Sequence, residues 1–393
     1  MTLGESIPSV ARIGQGRLSR RVWPAGAVNG ENGDVVMGGV SLTKIAAKFG
    51  TPTLVIDEAD FRARCRHYRR RIPEMEIFYA AKASLTGPVA SWCEREGLSL
   101  AVWSAGELAL ARSVDFPGER VTFHAGANTA EDLKAAIEYG AGRIALESFD
   151  EIEQVATIAP YGQPVLLRVG TGSDAHVVTE AAGRVLARRG LRLIGLHCHL
   201  GSQVLRVAVY EEAVRRMLGL LARIRDRHGV VLGLLNLGGG HAVPYRAHDP
   251  EFDLGGFGGR MRAALGYECE RHRLPRPQVA IEPGRALIAR AGVTLYRVLG
   301  VRESAGGRTF VTVDGGTGGN ARLRTARLIG RHAGPVLREV TVVGRNAGVD
   351  DVPVEVALPL DVRAGDLMAM ACTGGCGLSF ISVHNGQAGI AAR

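Results

Sequence analysis

From about residue 50 to residue 290, short apolar runs alternate with amphipathic segments, the sequence form of repeated parallel βα units. Eight strands are expected: Glu76–Ala80, Leu98–Val102, Arg120–His124, Arg143–Glu147, Pro164–Val169, Leu193–His197, Gly233–Leu237 and Gln278–Ile281. The clearest intervening helix, Tyr210–His228, puts Val214, Met217, Leu218, Leu221 and Ile224 on one face and stops at Gly229. Eight such units in about 220 residues suit an α/β fold of the (β/α)8 TIM-barrel type. The rival, a doubly wound open sheet, usually carries a Gly-rich turn after its first strand, and none is present here.

Beyond residue 292 the period changes. Val293–Val298, Thr309–Val313, Glu339–Val343, Val352–Val356 and Asp366–Ala371 are strand-like, with Gly and Asp turns between them and no helix signal of comparable strength. The expected organisation is a barrel over residues 46–292 and a second, mostly β domain over 293–393. Residues from about 20 to 45, and the strand-like Thr53–Ile56, are candidates to join the second domain.

Composition narrows the function classes. A hydrophobic content of 46% with 22% charged residues suits a globular chain and excludes a disordered one. No apolar run approaches the roughly 18 residues of a membrane span. The N-terminal MTLGESIPSVARIGQGRLSRR lacks an apolar h-region, so a cytoplasmic protein without a membrane partner is expected. The net charge of +9 comes almost entirely from scattered arginines with no nucleic-acid motif around them, so no nucleic-acid partner is expected. Six cysteines lie too far apart for a disulfide framework. The pairs Cys372/Cys376 and His197/His199 lack a second half at zinc-finger spacing, and no metal site is expected.

This chain has only four lysines, Lys44, Lys48, Lys82 and Lys134, and Lys82 lies inside the apolar run FYAAKAS. In a parallel barrel, active sites form at the C-terminal ends of the strands. Those positions hold Lys82, Ser104, His124, Ser148, Arg168, the segment His197–Ser202, Gly238-Gly239-Gly240, and Glu282-Pro283-Gly284-Arg285. Each has an ordinary explanation: a tight glycine turn, a structural histidine, a Glu282–Arg285 rim pair, a snorkelling lysine. Their convergence on one mouth favours pyridoxal phosphate chemistry. A lysine whose pKa falls in an apolar setting can hold the aldehyde as a Schiff base. A histidine face can stack on the ring, glycines and an arginine can bind phosphate, and a carboxylate can keep the ring nitrogen protonated.

These motifs resemble those of the fold-type III pyridoxal-phosphate decarboxylases, and among them most closely the diaminopimelate decarboxylases, from about residue 50 to 386. FYAAKAS is similar to that family's Schiff-base strand, GLHCHLGSQ to its ring-stacking and phosphate segment, LNLGGGHAVPY to its glycine loop, and IEPGRA to its ring-nitrogen segment. The resemblance implies a barrel joined to a β domain, as in alanine racemases and group IV decarboxylases. It makes Lys82 the cofactor anchor and catalytic lysine, and His199 the stacking and catalytic histidine. It puts Ser202, Gly239, Gly240, Gly284 and Arg285 at the phosphate, Glu282 at the ring nitrogen and Arg168 near the cofactor hydroxyl. VDGGTGGNARLRTA resembles the substrate-carboxylate segment and implies that Arg322 binds a carboxylate.

The chain departs from that pattern in its C-terminal half. Ala347 and Gly348 stand where the family carries a catalytic cysteine and a glutamate, normally contributed across a dimer interface. Cys376 stands at a tyrosine position, Ala326 replaces another tyrosine, Ala101 replaces an aspartate, and no tyrosine follows Tyr296. Cys376, Cys372 and His384 are the candidate acids for the product carbanion. The expectation is a lyase that decarboxylates an amino acid other than meso-diaminopimelate, in specialised metabolism. Its substrate would be larger, lack a distal amino-acid head, or be tethered to a carrier. Homodimerisation is implied by the family. Two alternatives stay open: aldol-type cleavage, elimination or racemisation on the same cofactor, and a cofactor-binding pseudoenzyme.

Overall fold

The computed structural model describes residues 15–126, 128–159, 162–170, 172–316, 320–345, 352–375 and 389–392. The chain forms two compact units, one of Phe61–Val243 with Pro250–Ile288, the other of Met1–Asp60, Pro244–Asp249 and Ala289–Arg393.

In the first unit eight strands close into a barrel: β1 (Met75–Ala80), β2 (Ser99–Val102), β3 (Val121–His124), β4 (Arg143–Leu146), β5 (Gln163–Val169), β6 (Leu191–Cys198), β7 (Leu234–Asn236) and β8 (Gln278–Ile281). Every neighbouring pair is parallel, and β8 returns to β1 with Ala280 opposite Glu76. All eight expected strands are present, with ends shifted by no more than a few residues. Phe78, Ala101, Ala145, Leu166, Leu234 and Ala280 form one buried cluster, in which a single phenylalanine is accommodated by three alanines. Ala101, the residue in place of the expected aspartate, is therefore part of an apolar barrel layer. Nearer the strand starts, Arg143 bridges to Glu76 at 2.9 Å while Ser99 donates to the same carboxylate at 3.1 Å.

The turn chemistry that starts each helix is encoded locally. Ser104 caps Ala105–Arg112, and Thr129 and Ser148 form capping boxes with Asp132 and Glu151 ahead of Ala130–Tyr139 and Phe149–Ile158. Thr86, Asp174 and Asp253 cap three further helices, each such cap being worth about 1 kcal/mol. Ser104 and Ser148, at strand ends facing the candidate site, are thus committed to helix starts. The long helix Ala208–His228 buries the five residues expected of it and ends at Gly229 with φ 70°, a left-handed residue that suits glycine.

The second unit is built on the twelve-residue strand Gly292–Glu303. Leu367–Ala371, Thr309–Val313 and Thr53–Ile56 all pair with it antiparallel. Leu337–Val343 and Val354–Pro359 continue one side of the sheet, and Ala326–Ile329 the other. Residues 46–60 group with this unit because Thr53–Ile56 hydrogen-bonds to Gly292–Glu303. Ala326–Ile329 was not expected as a strand; it pairs with Leu367–Ala371, and Leu328 and Ile329 are buried. A core of Val22, Trp23, Val35, Leu42, Val55, Val293, Leu295, Ile329 and Ala369 ties the N-terminal segment to this sheet. Among the described residues no helix is long and apolar enough to cross a membrane.

Candidate active site

Lys82 lies in the single turn Ala81–Ala83 that follows β1. Tyr79, fully buried, donates its hydroxyl to the Ser84 carbonyl at 2.5 Å and so pins the turn from beneath. Pro283 accepts from the Ala80 amide at 3.2 Å, which holds the segment after β8 against that turn. The approach is close enough that a Cβ on Gly284 would sit 2.9 Å from the Ala83 methyl. Lys82 is exposed to the open mouth, yet enough protein surrounds it that desolvation lowers its pKa. Glu282 and Glu107 oppose that shift, and Arg168 and Arg285 add to it.

Glu282, 4% exposed, is gripped by three donors. His124 Nε2 lies 3.1 Å from Oε1, Asn236 Nδ2 donates to the same oxygen at 2.8 Å, and His197 Nε2 lies 3.3 Å from Oε2. Among the described residues Nδ1 of both histidines has no partner, which fits tautomers that donate from Nε2 and leave a bare lone pair behind. Burial alone would raise the Glu282 pKa, but His124 and His197 outweigh it and hold the carboxyl well below the ordinary range. The His197 imidazole is driven the other way by burial, its pKa being lowered. A carboxylate offers about four acceptor positions. Three are taken, and the one left on Oε2 suits the N–H of a protonated pyridine. Ligand atoms of His124, His197 and Glu282 come within 4.8 Å of one another, a spacing a metal ion would accept, but the two Nε2 atoms are already hydrogen-bonded to the Glu282 carboxylate.

The Gly238–Gly240 loop follows β7. Cβ atoms on Gly239 and Gly240 would lie 2.1 Å from the Glu282 carbonyl oxygen and 2.2 Å from that of Gly201. Three backbone segments meet there without room for a side chain. Gln203 stitches two of them together, donating to the Val243 carbonyl at 2.9 Å and accepting from the Val243 amide at 3.1 Å. Tyr210 donates to the Gly239 carbonyl at 2.9 Å. Gly239→Ala is expected to cost roughly 2–4 kcal/mol of stability and to weaken phosphate binding, because the atom it meets is backbone. Unchanged thermal unfolding with unchanged affinity for pyridoxal phosphate would refute this.

His241, next to the glycines, is buried between Tyr68, Tyr210, Phe252 and Phe257, and stacks on Phe252 with centroids 4.2 Å apart. Burial pushes its pKa down to about 3 from 6.5. The unfolded chain takes up this proton near pH 6.5 and the folded chain does not, so stability is lost as pH falls from there towards 3. His241→Phe is expected to flatten that acid limb by several kcal/mol, since each pKa unit is worth about 1.4 kcal/mol. Thermal melts across this window check it, and an unaltered slope rejects it.

The remaining expected site residues occupy varied positions. His199 follows β6, is half-buried, and has a pKa pushed down to about 4 by desolvation and then by Lys82, which keeps its ring neutral. Arg168 is the penultimate residue of β5 and pairs with Glu147 at 3.1 Å. Ser202 is exposed, and Arg285 opens the short helix Arg285–Ile288. The bland alternative for Glu282, a rim pair with Arg285, is replaced by its bonds to the two histidines and Asn236. Arg322 is an exposed turn residue of the second unit, its amide donating to Asn320 at 3.1 Å. Cys372 is buried, with its thiol donating to the Pro244 carbonyl at 3.5 Å. Cys376, Ala347, Gly348 and His384 lie outside the described residues. Sequence reasoning assigned no role to Asn236, Trp103 or Glu107. Asn236, a buried polar residue within the run LLNL, carried the same signal as Lys82.

The family model "Pyridoxal-dependent decarboxylase, pyridoxal binding domain" matches residues 58–184 and 172–289. A protein of Actinosynnema pretiosum subsp. auranticum named diaminopimelate decarboxylase is 48% identical over 98% of this chain and 93% of its own. One of the same name from Corynebacterium efficiens is 34% identical over 94% and 88%. Among solved structures, the diaminopimelate decarboxylase of M. jannaschii with L-lysine superimposes with a TM-score of 0.82 at 19% identity, covering 94% and 93% of the two chains. The lysine/ornithine decarboxylase of Vibrio vulnificus with cadaverine gives 0.75 at 22%, covering 90% and 97%. The chain belongs to the pyridoxal-dependent decarboxylases, barrel enzymes that take pyridoxal phosphate as cofactor.

Proposed function

We propose that this enzyme removes the α-carboxylate of an amino acid other than meso-diaminopimelate. The observation that carries the catalytic part is the Glu282 cluster in the same barrel mouth as Lys82. Pyridoxal phosphate, when bound, supplies an electron sink for the pair released as the bond from Cα to the carboxylate breaks. Lys82 holds the cofactor's aldehyde carbon; its lowered pKa makes the neutral, attacking amine more available near neutrality. Glu282 keeps the ring nitrogen protonated, and its bonds to His124, His197 and Asn236 aim it without reorganisation. His199 presents a neutral, half-buried ring for stacking. Gly239 and Gly240, with Ser202, Gly284 and Arg285, are assigned to the phosphate, Arg168 to the cofactor hydroxyl and Arg322 to a substrate carboxylate. Cys376 is proposed to protonate Cα after CO2 leaves.

The substrate assignment rests on the sequence: Ala347 and Gly348 stand in place of the family's catalytic cysteine and its adjacent glutamate, and Cys376 and Ala326 in place of tyrosines, so the set of groups that would serve meso-diaminopimelate is incomplete. It admits a larger or carrier-tethered amino acid. A second reading, meso-diaminopimelate itself, is favoured by the name of the 48% identical relative. We further propose a cytoplasmic homodimer, which light scattering at the monomer mass would overturn.

Borohydride reduction with peptide mapping tests the anchor; reduced cofactor on a peptide lacking Lys82 overturns it. Assaying CO2 release from a panel of amino acids tests the reaction. Turnover without CO2 rejects decarboxylation, and meso-diaminopimelate as the best substrate establishes the second reading.

A further inference from the structure

The Lys82 ammonium lies over the face of Trp103, 4.1 Å from the ring centroid. Among the described residues it makes no hydrogen bond or ion pair. Trp103 is the residue after β2 and is held from several sides. Its amide donates to Glu107 at 2.6 Å, and its carbonyl accepts from Asn128 at 2.7 Å. Its ring stacks on His124 with centroids 4.3 Å apart and planes 10° from parallel, and it packs against the barrel cluster of Phe78 and Ala101. His124 in turn bonds Glu282. A flat, electron-rich surface is thus fixed beside the lysine and cannot easily swing away.

We propose that Trp103 is a positioning residue that parks the Lys82 ammonium whenever the lysine is not bonded to cofactor. The indole face attracts the cation and not the neutral amine. The parked lysine is held protonated and out of the way of an incoming amino acid, and it must shed one proton to solvent before it can attack the aldehyde carbon. The inference rests on Lys82 being the anchor, which borohydride mapping tests independently of any lysine spectrum. The charged and titratable groups around Lys82 are Glu107 after β2, Arg168 on β5, His199 after β6, and Glu282 and Arg285 after β8. None of these groups is itself substituted when only Trp103 is changed.

Because the chain has four lysines, selective carbon-13 labelling at lysine Cε resolves them in one proton–carbon correlation spectrum of cofactor-free enzyme. Lys82→Ala assigns the signal. In the wild type the Lys82 ε-protons are expected upfield of the other three, shielded by the indole face. Trp103→Leu should remove that shift and lower the Lys82 pKa, read from the same signal, by about half a unit to one unit. Trp103→Phe should retain part of both. Should Trp103→Leu fail to fold, the wild-type and Trp103→Phe spectra decide. An unshifted Lys82 signal in the wild type overturns the proposal. So does a Trp103→Leu protein with lowered thermal stability but an unmoved Lys82 shift and pKa, the pattern of a merely structural tryptophan.

Discussion

Replacing Lys82 by alanine is expected to abolish covalent capture of pyridoxal phosphate and to cut turnover on the order of 10⁴-fold or more, as loss of a covalent catalyst does. The fold should tolerate the change. Lys82 is exposed on a turn whose neighbours Ala81 and Ala83 are already alanines, and no described hydrogen bond depends on its side chain. The thermal midpoint should stay within a few degrees of the wild type, which separates lost chemistry from lost structure. Absorbance of the lysine-bound cofactor, borohydride labelling and CO2 release measure the effect. A Lys82→Ala protein with near-normal turnover would sink the assignment.

Glu282→Gln is expected to be nearly as damaging to turnover, by about 10²–10³-fold, for an electrostatic reason. The carboxylate sits among three N–H donors. An amide of the same shape accepts at one end only and carries no charge. With its oxygen towards His124 and Asn236, its NH2 faces His197, which must then change tautomer or lose its partner. The cofactor should still bind through Lys82 and the glycine loop, so affinity should change far less than kcat. The fold should lose about 1–3 kcal/mol, the cost of one buried polar group left short of a partner. Full activity in Glu282→Gln would show that no negative charge is needed there, and with it the ring-nitrogen role would fall.

Much of this architecture could be read from local pattern. The eight strands were legible because a buried parallel strand must be apolar and short. The intervening helices were legible because their apolar faces repeat and their starts carry Ser, Thr or Asp caps. Lys82 and Glu282 could be placed on one mouth for the same reason: in a parallel barrel all strand ends point one way. Ala326–Ile329 was missed because ARLI has too few strand-favouring residues to signal a sheet edge, and its place is set by pairing with Leu367–Ala371.

Partnership was not legible. His124, His197 and His199 look alike along the chain, but two are buried with their Nε2 atoms on Glu282 and one is left half-exposed at the mouth. Glu282 has an arginine three residues away, yet it bonds groups 158, 85 and 46 residues distant. Trp103 and Lys82 look unrelated in sequence and come into contact because β1 and β2 run side by side with Phe78 opposite Ser99. Periodicity records how each segment meets water and core, so residue types alone carry it. Which side chains touch across a closed barrel depends on strand register and on the return of β8 to β1, a constraint set by the closure of all eight strands together.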